Sequence, residues 1–200
     1  SDVCSSDLFL RRIFKRRMAR PGLYVDIGCG SPVSASNTFA FYCAGWRGVC
    51  VDAFGFQGQD WASVRPRDVF VAAAIGEVPG ETLFFRNRQN LGMSVVGNER
   101  PSGDFDDGVP VPVARLEALL DVHVGGAAID FMSIDVEGAE LSVLKSSNWS
   151  RWRPEIVVME CHDFSFAQPY ASRSVAFLAE RGYALIGVMG PNVILQRSVP

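Results

Sequence analysis

Short, nearly continuous apolar runs recur along the chain, and each has the length of one buried β-strand. Such runs, apolar on both faces, are typical of parallel strands that helices cover on both sides. The pattern therefore predicts a mostly parallel sheet. The runs cover residues 23–27, 48–54, 68–76, 128–136 and 155–161.

The segments between these runs carry helical spacing instead. Residues 8–20 place Leu10, Ile13, Phe14 and Met18 on one face, with arginines between them, which predicts an amphipathic helix. The alternation of strands and helices predicts an α/β fold with helices on both faces of the sheet. Further helices are predicted over residues 35–44, 59–64, 114–122, 138–149 and 170–181.

Three segments depart from this alternation. Two apolar segments, 183–189 and 192–197, flank a Gly-Pro turn and predict a C-terminal antiparallel hairpin. Residues 81–87 alternate less cleanly, and we expect an extra edge strand there. The glycine-rich and proline-rich stretch 88–110 predicts a long loop, and such loops in compact domains are usually functional or disordered.

Composition narrows the class of protein. The 200 residues are 48% apolar and 20% charged, which is ordinary for a soluble globular enzyme and enough to bury a full core. We divide the chain into a basic amphipathic helix, residues 1–20, and one domain, residues 21–200. The net charge of −3 does not favour a nucleic-acid-binding protein, which would need a strongly basic face.

Two further features bear on location. No apolar run reaches ~18 residues, so no transmembrane helix is expected. The basic face of the N-terminal helix could still contact a membrane surface or an anionic glycan carrier. None of the five cysteines forms a Cys-x-x-Cys pair, which favours reduced thiols and a cytoplasmic location.

Candidate chemistry stands at the ends of the predicted strands, where ligands bind in open α/β sheets. The first strand is followed by Gly28 and Gly30, which let the backbone approach a ligand closely, and it contains Asp26. Val33 stands where a dinucleotide-binding turn has its third glycine. An acid at this turn disfavours a pyrophosphate and favours an ammonium or sulfonium group.

Asp52 lies near the end of the second predicted strand. A carboxylate there can accept hydrogen bonds from both ribose hydroxyls, and a helix cap or a surface acid is the simpler alternative. Ribose recognition beside a turn that tolerates a cation suggests S-adenosylmethionine, an adenosine ligand with positive charge instead of phosphate. The third predicted strand brings Ala74 to the same edge.

The fourth and fifth predicted strands end in acids and a histidine. Asp135 and Glu137 stand at the end of the fourth strand, and Glu160 and His162 stand at the end of the fifth. His162 is the candidate general base, with Glu160 beside it, because an unperturbed histidine titrates near neutrality. A surface or core-satisfied histidine is the alternative. Glu160 and Asp135 could instead bind a divalent metal, although our prediction contains no metal site.

Two longer stretches carry a family resemblance. They are "YVDIGCGSP…SNTFAFYCAGWRGVCVDAF" and "FMSIDVEGAELSVLKSSNWSRWRPEIVVME". Together they resemble the FkbM family of S-adenosylmethionine-dependent methyltransferases, from about Leu23 to Glu160. The "DVEGAEL" motif is the most specific part, and "SNT" and "GWRG" support it independently.

The resemblance implies a fold and an activity. The fold is the Rossmann-like class I methyltransferase fold, an α/β fold with a mostly parallel seven-stranded sheet of order 3-2-1-4-5-7-6 and strand seven antiparallel. The activity is methyl transfer from S-adenosyl-L-methionine to a hydroxyl oxygen of a sugar, glycan or natural-product acceptor.

Residue roles follow from the resemblance by position. It places Asp26 and the two glycines in the cofactor turn, Asp52 at the ribose, and Asn37 with Asp135 near the methionine end. The Ser-Pro that follows the second glycine departs from the commoner form of this turn. The predicted cofactor-binding residues are Asp26, Gly28, Gly30, Asn37, Asp52, Ala53, Ala74, Asp135 and Glu137.

Two other functions fit parts of the sequence. A nicotinamide-dependent oxidoreductase, using NAD or NADP, shares the fold type and Asp52, but Asp26 and Val33 speak against it. A catalytically inactive methyltransferase-like binding module would lack acids in the cleft, whereas Asp26, Asp52 and Asp135 are all present.

Overall fold

The structure is a computed structural model that describes residues 5–54, 58–90 and 93–198. These residues form eleven strands and six α-helices. The strands are β1 (Leu23–Ile27), β2 (Arg47–Asp52), β3 (Val69–Ala72), β4 (Ala74–Ile75), β5 (Gly80–Phe85), β6 (Val95–Gly97), β7 (Val109–Ala114), β8 (Phe131–Ile134), β9 (Ile156–Glu160), β10 (Tyr183–Met189) and β11 (Asn192–Arg197). The helices are α1 (Ser5–Ile13), α2 (Phe39–Cys43), α3 (Gly58–Val64), α4 (Leu116–His123), α5 (Glu140–Lys145) and α6 (Arg173–Ala179).

The main sheet has seven strands in the order β10-β11-β9-β8-β1-β2-β3. Strands β3, β2, β1, β8 and β9 run parallel, while β11 is antiparallel to both β9 and β10. Read from the other edge, this is the predicted order 3-2-1-4-5-7-6. The α/β class, the class I methyltransferase arrangement and the C-terminal hairpin are therefore confirmed.

A second sheet of four strands, in the order β4-β7-β5-β6, corrects the sequence analysis. The predicted 68–76 strand is divided between β3 and β4, and the expected edge strand at 81–87 is β5 in this smaller sheet. The stretch 88–110 is not simply a loop, because it contains β6 and the start of β7.

Prolines explain why β7 was missed. Its sequence is VPVPVA, and proline has no backbone N–H to donate to a sheet. Strand β4 pairs only with Val113 and Ala114, beyond both prolines. Pro110 and Pro112 therefore need no donor toward β4, and the buried Val111 packs with Phe84.

Several helices are shorter than predicted. Helix α2 begins at Phe39 instead of residue 35, and α5 begins at Glu140 instead of residue 138. Ala35 and Gly138, the first residues of the two predicted helices, have positive φ angles of 53° and 99°, a left-handed region that no α-helix continues through. The predicted 170–181 helix is a short 3-10 turn followed by α6.

Two hydrophobic cores cover the two faces of the main sheet. One is largely aliphatic, and the other is built around aromatic rings. Helix α1 packs on the aromatic core through Leu10, and Phe14 follows it one turn later. The Phe14 ring lies 5.4 Å from Trp46 and 5.8 Å from Phe131, centroid to centroid. Arg17 extends this attachment with ion pairs to Asp130 and Glu155.

Within the described ranges, every helix is too short or too polar to cross a bilayer.

We expect Phe14→Ala to lower the free energy of unfolding by about 3–5 kcal/mol, because it leaves a cavity among packed aromatic rings. Urea unfolding followed by tryptophan fluorescence measures the loss. Leu8→Ala is the matched control, since Leu8 lies in the same segment but is 52% exposed. Equal unfolding of Phe14→Ala and wild type would show that the N-terminal segment is not part of this core.

Candidate functional site

The register of the main sheet aligns the residues that follow its central strands. Ile27 pairs with both Val51 and Ile134, and Ile134 in turn pairs with Met159. One residue further along each strand, Asp52, Gly28, Asp135 and Glu160 therefore stand in a row at the carboxyl edge. The sheet thus brings together three of the predicted acids beside the glycine turn.

Gly28 lies where the backbones of two strands come closest. Its N–H donates to the Val51 carbonyl oxygen at 2.8 Å, and its φ is 78°. A Cβ atom at this position would stand 1.6 Å from the Asp135 carbonyl oxygen. Only glycine fits there, because the contact is with rigid backbone and the φ is left-handed. Gly30 is also left-handed, with a φ of 51°.

Asp52 closes the turn from the neighbouring strand. Its Oδ2 accepts the Gly30 N–H at 2.8 Å, and its Oδ1 accepts the Phe54 N–H at 2.7 Å. Burial raises the pKa of Asp52, and the two N–H donors act in the opposite direction. Each carboxylate oxygen has a second lone pair, so the side chain can hold the turn and still accept bonds from a ligand.

A cavity of about 440 Å³ opens at this edge of the sheet. Seven of the predicted cofactor-binding residues line it, namely Gly28, Gly30, Asp52, Ala53, Ala74, Asp135 and Glu137. Asp26, Asn37, Glu160 and His162 do not line it. The cavity has the size and mixed lining of a small-molecule site.

The small sheet forms the outer wall of the cavity. Three of its residues line the cavity: Phe84 in β5, Arg86 directly after β5, and Val96 in β6. Sequence reasoning did not connect these residues with the cavity, because it expected Phe84 and Arg86 on an extra edge strand and Val96 in a loop. The apolar pair Phe84 and Phe85 before Arg86 was the available signal, since it is typical of a buried strand.

Asp26 and Asn37 are buried and do not line the cavity. The Asp26 side chain is buried, and its Oδ2 accepts a 2.6 Å hydrogen bond from the Thr38 hydroxyl. The Asn37 amide donates to Ser133 Oγ at 3.0 Å. Its Oδ1 is buried and has no hydrogen-bond partner among the described residues. The structure therefore buries both residues outside the cavity lining.

Acids and a histidine gather beside the cavity. His162 Nε2 lies 3.3 Å from Glu160 Oε2 and 3.9 Å from Glu137 Oε2. The first contact lacks hydrogen-bond geometry, so Glu160 Oε2, which is buried, has no hydrogen-bond donor in the described part of the chain. One ligand atom from each of these three residues lies within 4.8 Å of the others. Such a group can share a proton or hold a cation.

Electrostatic repulsion adds to burial in this group. The pKa of Asp135 is raised to about 8, although part of its surface is exposed. Desolvation by the surrounding protein is the largest cause, and the nearby charges of Glu160 and Glu137 are the next largest. Desolvation and Glu160 also raise the pKa of Glu137, while His162 lowers it. The site therefore favours binding a proton or another positive charge next to the cavity.

We expect the stability of an Asp26→Asn variant, relative to wild type, to rise with pH. Burial raises the pKa of Asp26 to about 6 from 3.8, against the lowering effects of Thr38 and Arg65. A carboxyl with a raised pKa stabilises the fold fully below its unfolded pKa, and that contribution is lost as the pH rises through the folded pKa. The asparagine cannot ionise, so it escapes this loss.

The relative gain should reach about 3 kcal/mol, as an upper limit, since one pKa unit corresponds to about 1.4 kcal/mol. Urea unfolding of both proteins from about pH 4 to about pH 7 measures it across the range in which the carboxyl titrates. Asp60→Asn is the control, because Asp60 is exposed. A difference between Asp26→Asn and wild type that does not vary with pH would contradict the assignment.

Comparison with solved structures supports the fold. Monomeric WbdD is 13% identical, with a TM-score of 0.50, and the match covers 96% of this chain. The chain spans only 40% of the length of that WbdD chain. This similarity shows the fold alone.

Two further structures match at lower TM-scores. One is the Burkholderia thailandensis 1,6-didemethyltoxoflavin-N1-methyltransferase with bound 1,6-didemethyltoxoflavin and S-adenosylhomocysteine (13% identity, TM-score 0.48, covering 96% of this chain and 77% of that one). The other is a TehB-like S-adenosylmethionine-dependent methyltransferase from Corynebacterium glutamicum (12% identity, TM-score 0.49, covering 99% and 90%). No curated protein matches the sequence.

A family model provides the decisive match. The model of the methyltransferase FkbM domain matches residues 26–185. This range begins within the strand that leads into the glycine turn and extends into the C-terminal hairpin. It therefore includes the whole row of strand ends, the small sheet and the histidine. The chain belongs to the FkbM methyltransferase family.

Proposed function

We propose that this methyltransferase transfers a methyl group from S-adenosyl-L-methionine to a hydroxyl oxygen of a sugar, glycan or natural-product acceptor. The observation that carries the proposal is the arrangement of the cavity. A bare glycine turn and the Asp52 carboxylate line it on one side, and a group of acids with a histidine stands beside it.

The lining of the cavity suits the methyl donor in its accessible backbone and its charge. Gly30 leaves the backbone open to close approach, since a Cβ atom there would meet nothing within 4 Å. Asp52 lines the cavity and keeps lone pairs that can accept hydrogen bonds from ribose hydroxyls. Asp52, Asp135 and Glu137 all line the cavity, and their carboxylates favour a ligand with a sulfonium over one with a pyrophosphate. This charge distribution disfavours a nicotinamide dinucleotide and supports S-adenosylmethionine.

The chain's own residues then have to orient the acceptor and remove its proton. When bound, S-adenosylmethionine supplies a methyl carbon whose bond to sulfur breaks as the acceptor oxygen attacks, and the sulfur keeps the electron pair. His162 takes the hydroxyl proton, which contributes roughly 10²–10⁴-fold to the rate. Glu160 and Glu137, 3.3 and 3.9 Å away, stabilise the imidazolium that forms.

His162 also indicates where the acceptor enters. Its side chain is 63% exposed, while it approaches Glu137 at the cavity wall. An acceptor arriving from solvent can therefore contact the imidazole without first entering the cofactor cavity. This open position suits a sugar or glycan, whose size would exclude it from an enclosed pocket.

Location and surface contacts are also proposals. The described cysteines, Cys29, Cys43, Cys50 and Cys161, are free thiols, which supports a cytoplasmic protein. Arg11 and Arg12 of α1 and the following Lys15 are exposed. They provide the positive face that a membrane surface or an anionic glycan carrier would contact.

We expect Asp52→Ala to weaken binding of S-adenosylmethionine by about tenfold or more, because a charged hydrogen-bond partner of the ribose and of the turn is lost. Isothermal titration calorimetry measures the dissociation constant directly. The control is Asp60→Ala, which removes an exposed acid from α3. An unchanged affinity in Asp52→Ala would contradict the ribose assignment.

Methyl transfer itself tests the proposed function. A panel of hydroxylated glycans and small alcohols is incubated with the protein and S-adenosylmethionine, and mass spectrometry detects the gain of one methyl group. We expect His162→Ala to lower turnover by roughly 10²–10⁴-fold with nearly unchanged cofactor affinity. His123→Ala is the matched control, because His123 lies exposed at the end of α4. Equal turnover in His162→Ala and wild type would remove His162 from the mechanism.

A further inference from the structure

One wall of the cavity has no regular secondary structure. Ser31, Ser34 and Ala35 line the cavity, and residues 31–38 between the glycine turn and α2 form neither helix nor strand. Ala35 has a φ of 53°. A backbone in this conformation persists only where surrounding contacts hold it in place. The shape of this wall therefore depends on what lies behind it.

Arg65 lies directly behind this segment. It follows α3, and its side chain is completely buried. Its Nη1 donates to the Pro32 carbonyl oxygen at 3.2 Å and to Ser36 Oγ at 3.3 Å. Its Nη2 donates to Thr38 Oγ1 at 3.0 Å. One guanidinium thus contacts three separate positions in eight residues.

Helix α3 adds a fourth contact. The Trp61 ring lies 4.3 Å from the Arg65 guanidinium, and Trp61 Nε1 donates to the Gly30 carbonyl oxygen at 3.0 Å. Asp68, which is equally buried, neutralises Arg65 across 2.7 Å. Burying such a pair is costly unless its hydrogen bonds are satisfied. Residues 32–38 provide three of the acceptors to which the Arg65 guanidinium donates.

Thr38 connects Arg65 with the predicted cofactor acid. Its hydroxyl oxygen accepts from Arg65 and donates its own proton to Asp26 Oδ2 at 2.6 Å. Arg65 therefore fixes both the backbone that lines the cavity and the orientation of the carboxylate below the turn. The guanidinium of arginine suits this role, since its planar group of five donors reaches several acceptors that a lysine ammonium cannot reach together.

We propose that Arg65 is a positioning residue that holds segment 30–38 in the form that binds the methionine part of the cofactor. This rests on the proposed function. Asp52, Ala53 and Ala74 line the part of the cavity assigned to adenosine, whereas Arg65 supports the wall that follows the glycine turn. Loss of Arg65 should therefore affect the methionine part of a ligand more than its adenosine part.

The test compares two probes, S-adenosylhomocysteine and adenosine, which differ by the amino-acid portion. Calorimetry measures both dissociation constants for wild type and Arg65→Lys, with Arg47→Lys as the control because Arg47 is exposed. We expect Arg65→Lys to weaken S-adenosylhomocysteine by about tenfold or more, from several lost charge-assisted bonds. Adenosine should keep its affinity within about twofold, since it makes no use of those bonds.

A second pair of variants covers the case in which Arg65→Lys does not fold. Thr38→Val removes the hydroxyl between Arg65 and Asp26, while Thr38→Ser keeps it. We expect Thr38→Val to weaken S-adenosylhomocysteine relative to adenosine, and Thr38→Ser to bind both as wild type does. Hydrogen exchange of residues 30–38 should increase in Thr38→Val and stay unchanged in Thr38→Ser.

The outcomes separate this role from simple structural support. The role of Arg65 is overturned, while the proposed function stands, by either of two results. In one, the variants melt at lower temperature but bind S-adenosylhomocysteine normally; in the other, their affinities for S-adenosylhomocysteine and adenosine fall equally. A wild-type protein that binds neither probe overturns the proposed function and this role with it. Selective loss of the methionine contribution, with rescue in Thr38→Ser, supports both.

Discussion

The parallel register of β1 with β2 and β8 is the constraint on which the site depends. Because these strands and β9 end at the same level, residues more than a hundred positions apart in sequence meet in one row. The row can form only because Gly28, the residue after β1, has no side chain to clash with the Asp135 carbonyl oxygen. The position of each acid around the cavity follows from that close backbone approach.

Charge in the site is arranged in two layers. Asp52, Asp135 and Glu137 stand at the cavity, where a ligand can reach them, whereas Asp26 is buried below and is matched by Thr38 and Arg65. The buried layer is largely satisfied by internal hydrogen bonds, so it sets geometry. Beside the upper layer, Glu160 Oε2 is buried without a hydrogen-bond donor among the described residues, and this group of carboxylates favours a positively charged ligand.

Much of the main sheet could be predicted from the sequence, because parallel strands buried on both faces produce apolar runs, as in residues 23–27 and 155–161. The strand order came from the family resemblance, since apolar runs do not specify their neighbours. The small sheet was missed where prolines occupy an unpaired edge of β7. The helix starts were misplaced where Ala35 and Gly138 adopt left-handed backbone. The burial of each acid could not be predicted either, because the sequence alone does not separate the buried Asp26 from Asp52, which lines the cavity.

The small sheet has its own hydrophobic cluster, in which Ala74, Phe84 and Val111 pack apart from the two main cores. Side chains on its cavity face, such as Arg86 and Val96, are therefore only loosely tied to the packing that holds the molecule folded. Evolution can alter them with little effect on global stability. Substitutions in the small sheet can therefore change one wall of the cavity while the glycine turn and the strand ends of the main sheet stay the same.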